Sequence, residues 1–199
     1  MQIRIKFFMD YVCEWCYLGY GILKDLRKAY DFDLELYPIE IHPDIPENGM
    51  PMIWHVHNKK KWTDQLNQLG EPYGIHFINK ETFSNTKNAL ILGQYATTGK
   101  MSDYTDCLWD SYMVKGMNIS DKTAIYSIGH NAGFSDEQMN TAFEDPIYYA
   151  ALERNQQYQH SFGTDQVPAF VINEKYIMIG AQSKDTWEQL FQKIKEEQS

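Results

Sequence analysis

The chain has 199 residues, with 18 Lys and Arg against 27 Asp and Glu, for a formal net charge of −9. That acidic balance argues against nucleic acid as the main partner and against a polyanionic substrate. No apolar run approaches the roughly 18 residues of a membrane helix, and three cysteines are too few for a structural disulfide framework.

Residues 2–9 alternate Ile3, Ile5 and Phe7 with Arg4 and Lys6 and then turn fully apolar, the pattern of a strand entering a core. Met1 to Met9 lacks the long apolar centre and small-residue cleavage site of an export signal, so the expected compartment is cytoplasmic. Cys13 and Cys16 follow where this strand gives way to a helix leading out to Tyr30, with Leu18, Ile22, Leu23 and Leu26 at helical spacing. Asp31-Phe32-Asp33 breaks that pattern. Leu34, Leu36, Ile39 and Ile41 with Tyr37 then predict a second strand, which Pro38 places at an edge or kinks.

Pro43, Pro46, Gly49 and Pro51 mark a loop, and only helical signals follow to about residue 162. One helix covers residues 54–69, with Trp54, Trp62, Leu66, Leu69 and a Lys59-Lys60-Lys61 run that reads as a solvated face. Another covers residues 84–98, with Ser84 or Asn85 as its cap. A third covers residues 103–115. Ser120-Asp121 caps a fourth, which stops at Asn131-Ala132-Gly133. Ser135 to Phe143 forms a short helix, and Pro146 opens a last one running to about Tyr158. Strand patterning returns in Val167-Pro168-Ala169-Phe170-Val171-Ile172 and, after a turn at Asn173-Glu174-Lys175, in Tyr176-Ile177-Met178-Ile179. Ser183-Lys184-Asp185 caps a closing helix with Trp187, Leu190, Phe191 and Ile194 on one face. The fold class is therefore α/β, in the order β-α-β…β-β-α. Residues 1–42 and 163–199 form one domain, and residues 43–162 form an inserted all-helical domain large enough for a core of its own.

Two cysteines three apart at a strand-to-helix junction make a redox motif. One thiolate attacks a substrate disulfide, and the second, a turn away, resolves the mixed disulfide. The unpaired N–H groups and the dipole of a helix start stabilise a negative sulfur, which makes Cys13 the attacking thiol and Cys16 the resolving one. A structural zinc would need two more ligands, and the chain has no second Cys-x-x-Cys. His55-x-His57 is read as solvated. No metal or organic cofactor is expected, because the dithiol itself carries the two electrons. Trp15, between the cysteines, is read either as the rim of the site or as packing against the inserted domain. Cys107, with Tyr104 and Leu108, reads as a buried apolar cysteine, and His42 as a surface or internally satisfied histidine.

The stretch Asp10-Tyr11-Val12-Cys13-Glu14-Trp15-Cys16-Tyr17-Leu18-Gly19, the helical insertion opening near Asn85-Thr86, Gly163 to Phe170, and the closing Gly180-Ala181-Gln182 turn occur together and in order. The chain thereby resembles the DsbA-like branch of the thioredoxin superfamily, and FrnE-type oxidoreductases in particular. The resemblance implies a thioredoxin fold interrupted by a helical domain. It also implies a cis Val167-Pro168 bond beside the sulfurs, with Val167 and Pro168 contacting the substrate together with Trp15. The implied partners are thiol or disulfide substrates, protein or low-molecular-weight, and a homodimer is a further expectation. One departure stands out. The family usually carries Pro after its first cysteine, and Glu14 stands there instead. A carboxylate close to Cys13 disfavours the thiolate, so Glu14 is expected to modulate the thiol's acidity and make the couple more reducing than in strongly oxidising DsbA proteins.

Two rival readings use the same residues. Kappa-class glutathione transferases and 2-hydroxychromene-2-carboxylate isomerases resemble the chain in plan, but usually carry serine at the first active-site position and lack the second cysteine. Both Cys13 and Cys16 are present here. The other rival is a non-catalytic partner-binding module with inert cysteines and an aromatic-rich groove.

Overall fold

The computed structural model describes residues 2–52 and 59–197. The alternating run at the N-terminus forms β1 (Ile3–Met9), followed by α1 (Glu14–Leu26) and β2 (Phe32–Pro38). After the intervening segment the chain returns as β5 (Ala169–Ile172), β6 (Tyr176–Ile179) and α8 (Lys184–Glu197). The sheet order is β2-β1-β5-β6, with β1 parallel to β2 and antiparallel to β5, and β5 antiparallel to β6. This is the β-α-β…β-β-α order read from the sequence. The β5–β6 turn places Asn173 and Glu174 at φ 52° and 56°, the left-handed pair of a tight hairpin.

Alternation in β1 sends its side chains to two apolar layers. Ile3, Ile5, Phe7 and Met9 join the large core that holds Leu23 and Leu26 of α1 and Trp187 and Phe191 of α8. Phe7 stacks on Phe170 with ring centroids 4.5 Å apart, and Trp187 meets Phe170 edge-on at 5.0 Å. Phe8 faces the other way, into a smaller cluster with Ile39, Ala169 and Val171 that Tyr158 and Phe162 cover.

Between the two halves lie α2 (Lys59–Gly70), α3 (Lys87–Ala96), α4 (Met101–Trp109), α5 (Lys122–Asn131), α6 (Asp136–Glu144) and α7 (Pro146–Ser161). Residues Asp110–Val114 continue α4 as a π-helical turn. Asp121 caps α5 through the Thr123 N–H, and Ser135 and Gln138 form a capping box on α6.

The intervening segment differs from the sequence reading in three ways. It is not all-helical. Met50–Pro51 (β3) pairs antiparallel with Thr82–Phe83 (β4), two residues each and too short to leave a periodic signal. Neither Ser84 nor Asn85 occupies the cap position of α3. Thr86 does, while the Asn85 side chain accepts from the Lys87 N–H at 2.9 Å. Nor is its core separate. Leu90, Leu108, Trp109 and Ile125 belong to the same continuous apolar cluster as Ile5 and Phe7. Trp54, His55 and His57 lie outside the described residues.

Candidate active site

The buried stretch Asp10-Tyr11-Val12 follows β1, and only Cys13 separates it from the start of α1. Cys13 is the N-cap of α1. Its extended backbone (φ −78°, ψ 111°) lets the Cys16 N–H donate to Cys13 Sγ at 3.2 Å. The sulfur thus occupies the place where a helix start offers unpaired donors. Cys13 is half-buried, whereas Cys16, one turn on, is fully buried. Burial, then the adjoining Cys13 sulfur, pushes the Cys16 thiol well above the usual thiol range. The two sulfurs are therefore chemically unequal: one is reachable and capped, the other is enclosed and held as a thiol.

Val167 and Pro168 sit directly before β5, and the bond between them is cis. The Val167 carbonyl lies 3.9 Å from Cys13 Sγ. Val167 is half-buried and Pro168 is buried. Residues 154 positions apart in the chain therefore meet at the first cysteine because β5 runs antiparallel to the strand that delivers it.

A cavity of about 300 Å³ opens beside Cys13. Val12, Glu14 and Trp15 line it, as do His42, Trp62 and Lys80. Trp15 meets Trp62 of α2 edge-on at 5.6 Å, so it both lines the cavity and packs against the inserted segment. His42, read from the sequence as a surface or internally satisfied residue, stands in the cavity wall with its ring against Phe83.

Glu14 is engaged on both oxygens. Trp62 Nε1 donates to one at 2.7 Å, and Lys80 Nζ donates to the other at 2.9 Å. The Lys80 side chain is 2% exposed, and burial pulls its ammonium below the ordinary lysine range, offset in part by Glu14. Sequence patterning does not single out Lys80, and it shows Trp62 only as a helix residue.

Asp10 is a third site group, which the sequence shows only as the first residue of the family-like stretch and assigns no role. It is fully buried, with Oδ1 accepting from the Val12 N–H at 3.3 Å and Oδ2 from the Ile41 N–H at 2.9 Å. Desolvation lifts its carboxyl to about 6 against these hydrogen bonds. Cys107 is not in this site. It is half-buried on α4 rather than enclosed, and burial together with Asp106, Asp103 and Asp110 raises its thiol. Among the described residues no group of three or more His, Cys, Asp or Glu is placed to hold a metal, and no helix is long and apolar enough to cross a membrane.

The model of the DSBA-like thioredoxin domain matches residues 4–192, so the chain belongs to that family. An uncharacterised Bacillus subtilis protein, YwbO, is 24% identical over 194 residues, covering 94% of this chain and 95% of its own. A probable DsbA oxidoreductase from Streptomyces coelicolor superposes with a TM-score of 0.86 at 18% identity, over 95% of this chain and 88% of its own. A 2-hydroxychromene-2-carboxylate isomerase superposes at 0.76 and 12% identity, over 98% and 97%. One architecture thus carries two kinds of chemistry, and the fold by itself does not choose between them.

Proposed function

We propose that this DSBA-like thioredoxin-domain protein is a thiol–disulfide oxidoreductase that exchanges disulfides through Cys13 and Cys16, in the manner of the FrnE-type branch. The observation that carries the reading is the inequality of the two sulfurs: Cys13 caps α1 at a cavity, and Cys16 is enclosed beneath it with its thiol raised. An isomerase that only positions a bound thiol has no use for that second, buried cysteine.

In the reductive direction the Cys13 thiolate attacks one sulfur of a substrate disulfide. A Cys13–substrate S–S bond forms, the substrate S–S bond breaks, and the departing thiolate takes a proton. Cys16 then loses its proton and attacks Cys13 Sγ. The mixed disulfide breaks, the second substrate thiol leaves, and the intramolecular Cys13–Cys16 bond remains. Two thiols are oxidised and one disulfide is reduced. Oxidation of a substrate dithiol runs the same steps backward, and the potential of the couple against its surroundings sets the direction.

The Val167 carbonyl beside Cys13 suits an extended substrate segment, whose backbone N–H it would accept, with Pro168 behind it and Trp15 at the rim. Residues 1–42 and 163–199 are the dithiol-bearing unit in this reading, and residues 43–162 its cover. The compartment proposed is the cytoplasm, and two copies pairing as a homodimer fit the same reading.

Trapping separates the alternatives. With a disulfide-bonded protein substrate, Cys16→Ser is expected to accumulate a mixed disulfide at Cys13, while Cys13→Ser gives none and loses turnover. If the double Cys→Ser variant still converts a glutathione conjugate at the wild-type rate, the transferase or isomerase reading replaces this one. If Cys13 is unreactive towards an alkylating reagent near neutral pH, the partner-binding module does.

A further inference from the structure

Glu14 puts a carboxylate in the residue next to the cysteine that caps α1, where disulfide exchange needs a stable negative sulfur. Both of its oxygens are occupied by groups from the inserted segment: Lys80, from the loop before β4, at 2.9 Å and the Trp62 indole of α2 at 2.7 Å. Lys80 is equally enclosed by its partners. Its side chain is 2% exposed, its Nζ lies 3.2 Å from Met113 Sδ and 4.8 Å from the centre of the Tyr112 ring, and neither of those neighbours carries a compensating charge. The charged or ionisable groups that act on it are Glu14 from α1, Lys59 from α2 and Cys13 at the cap. An ammonium this buried is strongly disfavoured without an anion, and Glu14 is the carboxylate that reaches it.

We propose that Lys80 is a positioning residue for the dithiol: the inserted segment delivers its ammonium to Glu14, cancelling the carboxylate beside Cys13 and tying the cavity wall to the active-site helix. The inference rests on Cys13–Cys16 being the redox pair. It changes what Glu14 means. Alone, a carboxylate next to the nucleophile opposes the thiolate. Paired, the two charges form a neutral couple whose halves act on Cys13 with opposite sign, so removing either residue alone leaves the other unbalanced beside the sulfur.

The consequence is a response of opposite sign in the two single variants, which plain structural damage does not imitate. Lys80→Met leaves Glu14 uncompensated. The midpoint of Cys13 alkylation against pH is expected to rise by about half to one pH unit, and the dithiol to become up to about tenfold easier to oxidise, roughly 30 mV more reducing. Glu14→Gln leaves the ammonium without its anion, and both readouts are expected to move in the opposite direction by a smaller amount, because an ammonium this buried gives up part of its protonation when unpaired. The double variant Glu14→Gln/Lys80→Met removes the couple and should return to within about 0.3 pH unit of wild type.

The measurement is pH-dependent alkylation of Cys13 followed by mass spectrometry, with equilibration in glutathione redox buffers, on the full chain. Far-ultraviolet circular dichroism checks that each variant is folded. If Lys80→Met fails to fold, Glu14→Gln against the neutral double variant still decides, because the expected sign is fixed. Single variants that shift in the same direction, or do not shift while the wild type forms its Cys13–Cys16 disulfide, overturn this inference alone. A wild type that neither alkylates at Cys13 nor forms that disulfide overturns the dithiol reading and this inference with it.

Discussion

Trp109, the last residue of α4, donates its indole N–H to the backbone carbonyl of Tyr11 at 3.2 Å, ninety-eight residues away. Its ring also packs against Tyr11, Tyr17 and Tyr20, with centroids 5.6, 5.6 and 4.9 Å apart. One buried side chain of the inserted segment therefore grips both the residues that lead into the dithiol and the helix that leads out. Tyr11 returns the contact through its hydroxyl, 3.3 Å from Thr105 Oγ1.

Removing that grip should loosen the site along with the fold. Trp109→Ala deletes a 1% exposed indole and leaves the Tyr11 carbonyl without its donor, an expected cost of about 3–5 kcal/mol from the cavity, with the lost hydrogen bond adding to it. Trp109→Phe keeps most of the ring and loses the N–H, so it should cost about 1–2 kcal/mol. Urea titration measures both. Equal losses for the two variants would mean that the cavity is not the larger contribution.

Asp10 gives the stability a pH dependence of known sign. Its carboxyl ionises at about 6 in the folded chain against an ordinary 3.8, chiefly because burial penalises the charge. Between those values the folded state holds a proton that the unfolded state has released, so this group's contribution is complete below about pH 4 and is lost as pH rises through 6. The gap is worth roughly 3 kcal/mol. Asp10→Asn cannot ionise and should remove the trend. Between pH 4 and 7 the stability of the wild type is expected to fall relative to the variant by up to about 3 kcal/mol, read from urea midpoints at each pH. Parallel curves would show that the hydrogen bonds from the Val12 and Ile41 N–H groups hold the carboxylate ionised throughout.

Asp10 also explains where sequence reading stops short. The alternation of Leu34, Leu36, Ile39 and Ile41 predicts a strand running to residue 41, and β2 ends at Pro38. The Ile39 N–H still donates to Met9 at 2.8 Å, but the Ile41 N–H is taken by the Asp10 carboxylate, which draws the chain off the sheet. A side chain 31 residues away makes that choice, and no local pattern carries it. The sheet and most helices are legible because apolar spacing, prolines and caps are local signals, as at Pro146, Asp121 and Ser135. The cysteine pair is legible because its spacing is short. Lys80 is not, since it is a single lysine in an irregular stretch and becomes a buried ion-pair partner only when the chain returns, 66 positions on, to Glu14. Trp62 reads as one position of an amphipathic helix. Its place at the rim depends on how α2 is docked, which its own sequence does not encode.

The third cysteine supplies the last test. The sequence predicts Cys107 buried among apolar neighbours, yet it is half-buried, with Asp106, Asp103 and Asp110 acting on it and Lys115 opposing them only in part. Burial and the acidic surroundings both hold it as the thiol, and its position on α4 keeps it out of the cavity that Cys13 lines. A thiol in that state is a poor nucleophile near neutral pH. Cys107→Ser is therefore expected to leave disulfide turnover within about twofold of wild type. In the wild type, peptide mapping after brief alkylation at pH 7 should find Cys107 modified several times more slowly than an unperturbed cysteine peptide. A Cys107→Ser variant that lost most of its turnover, or a Cys107-linked disulfide dimer forming on mild oxidation, would make this sulfur a participant in the exchange.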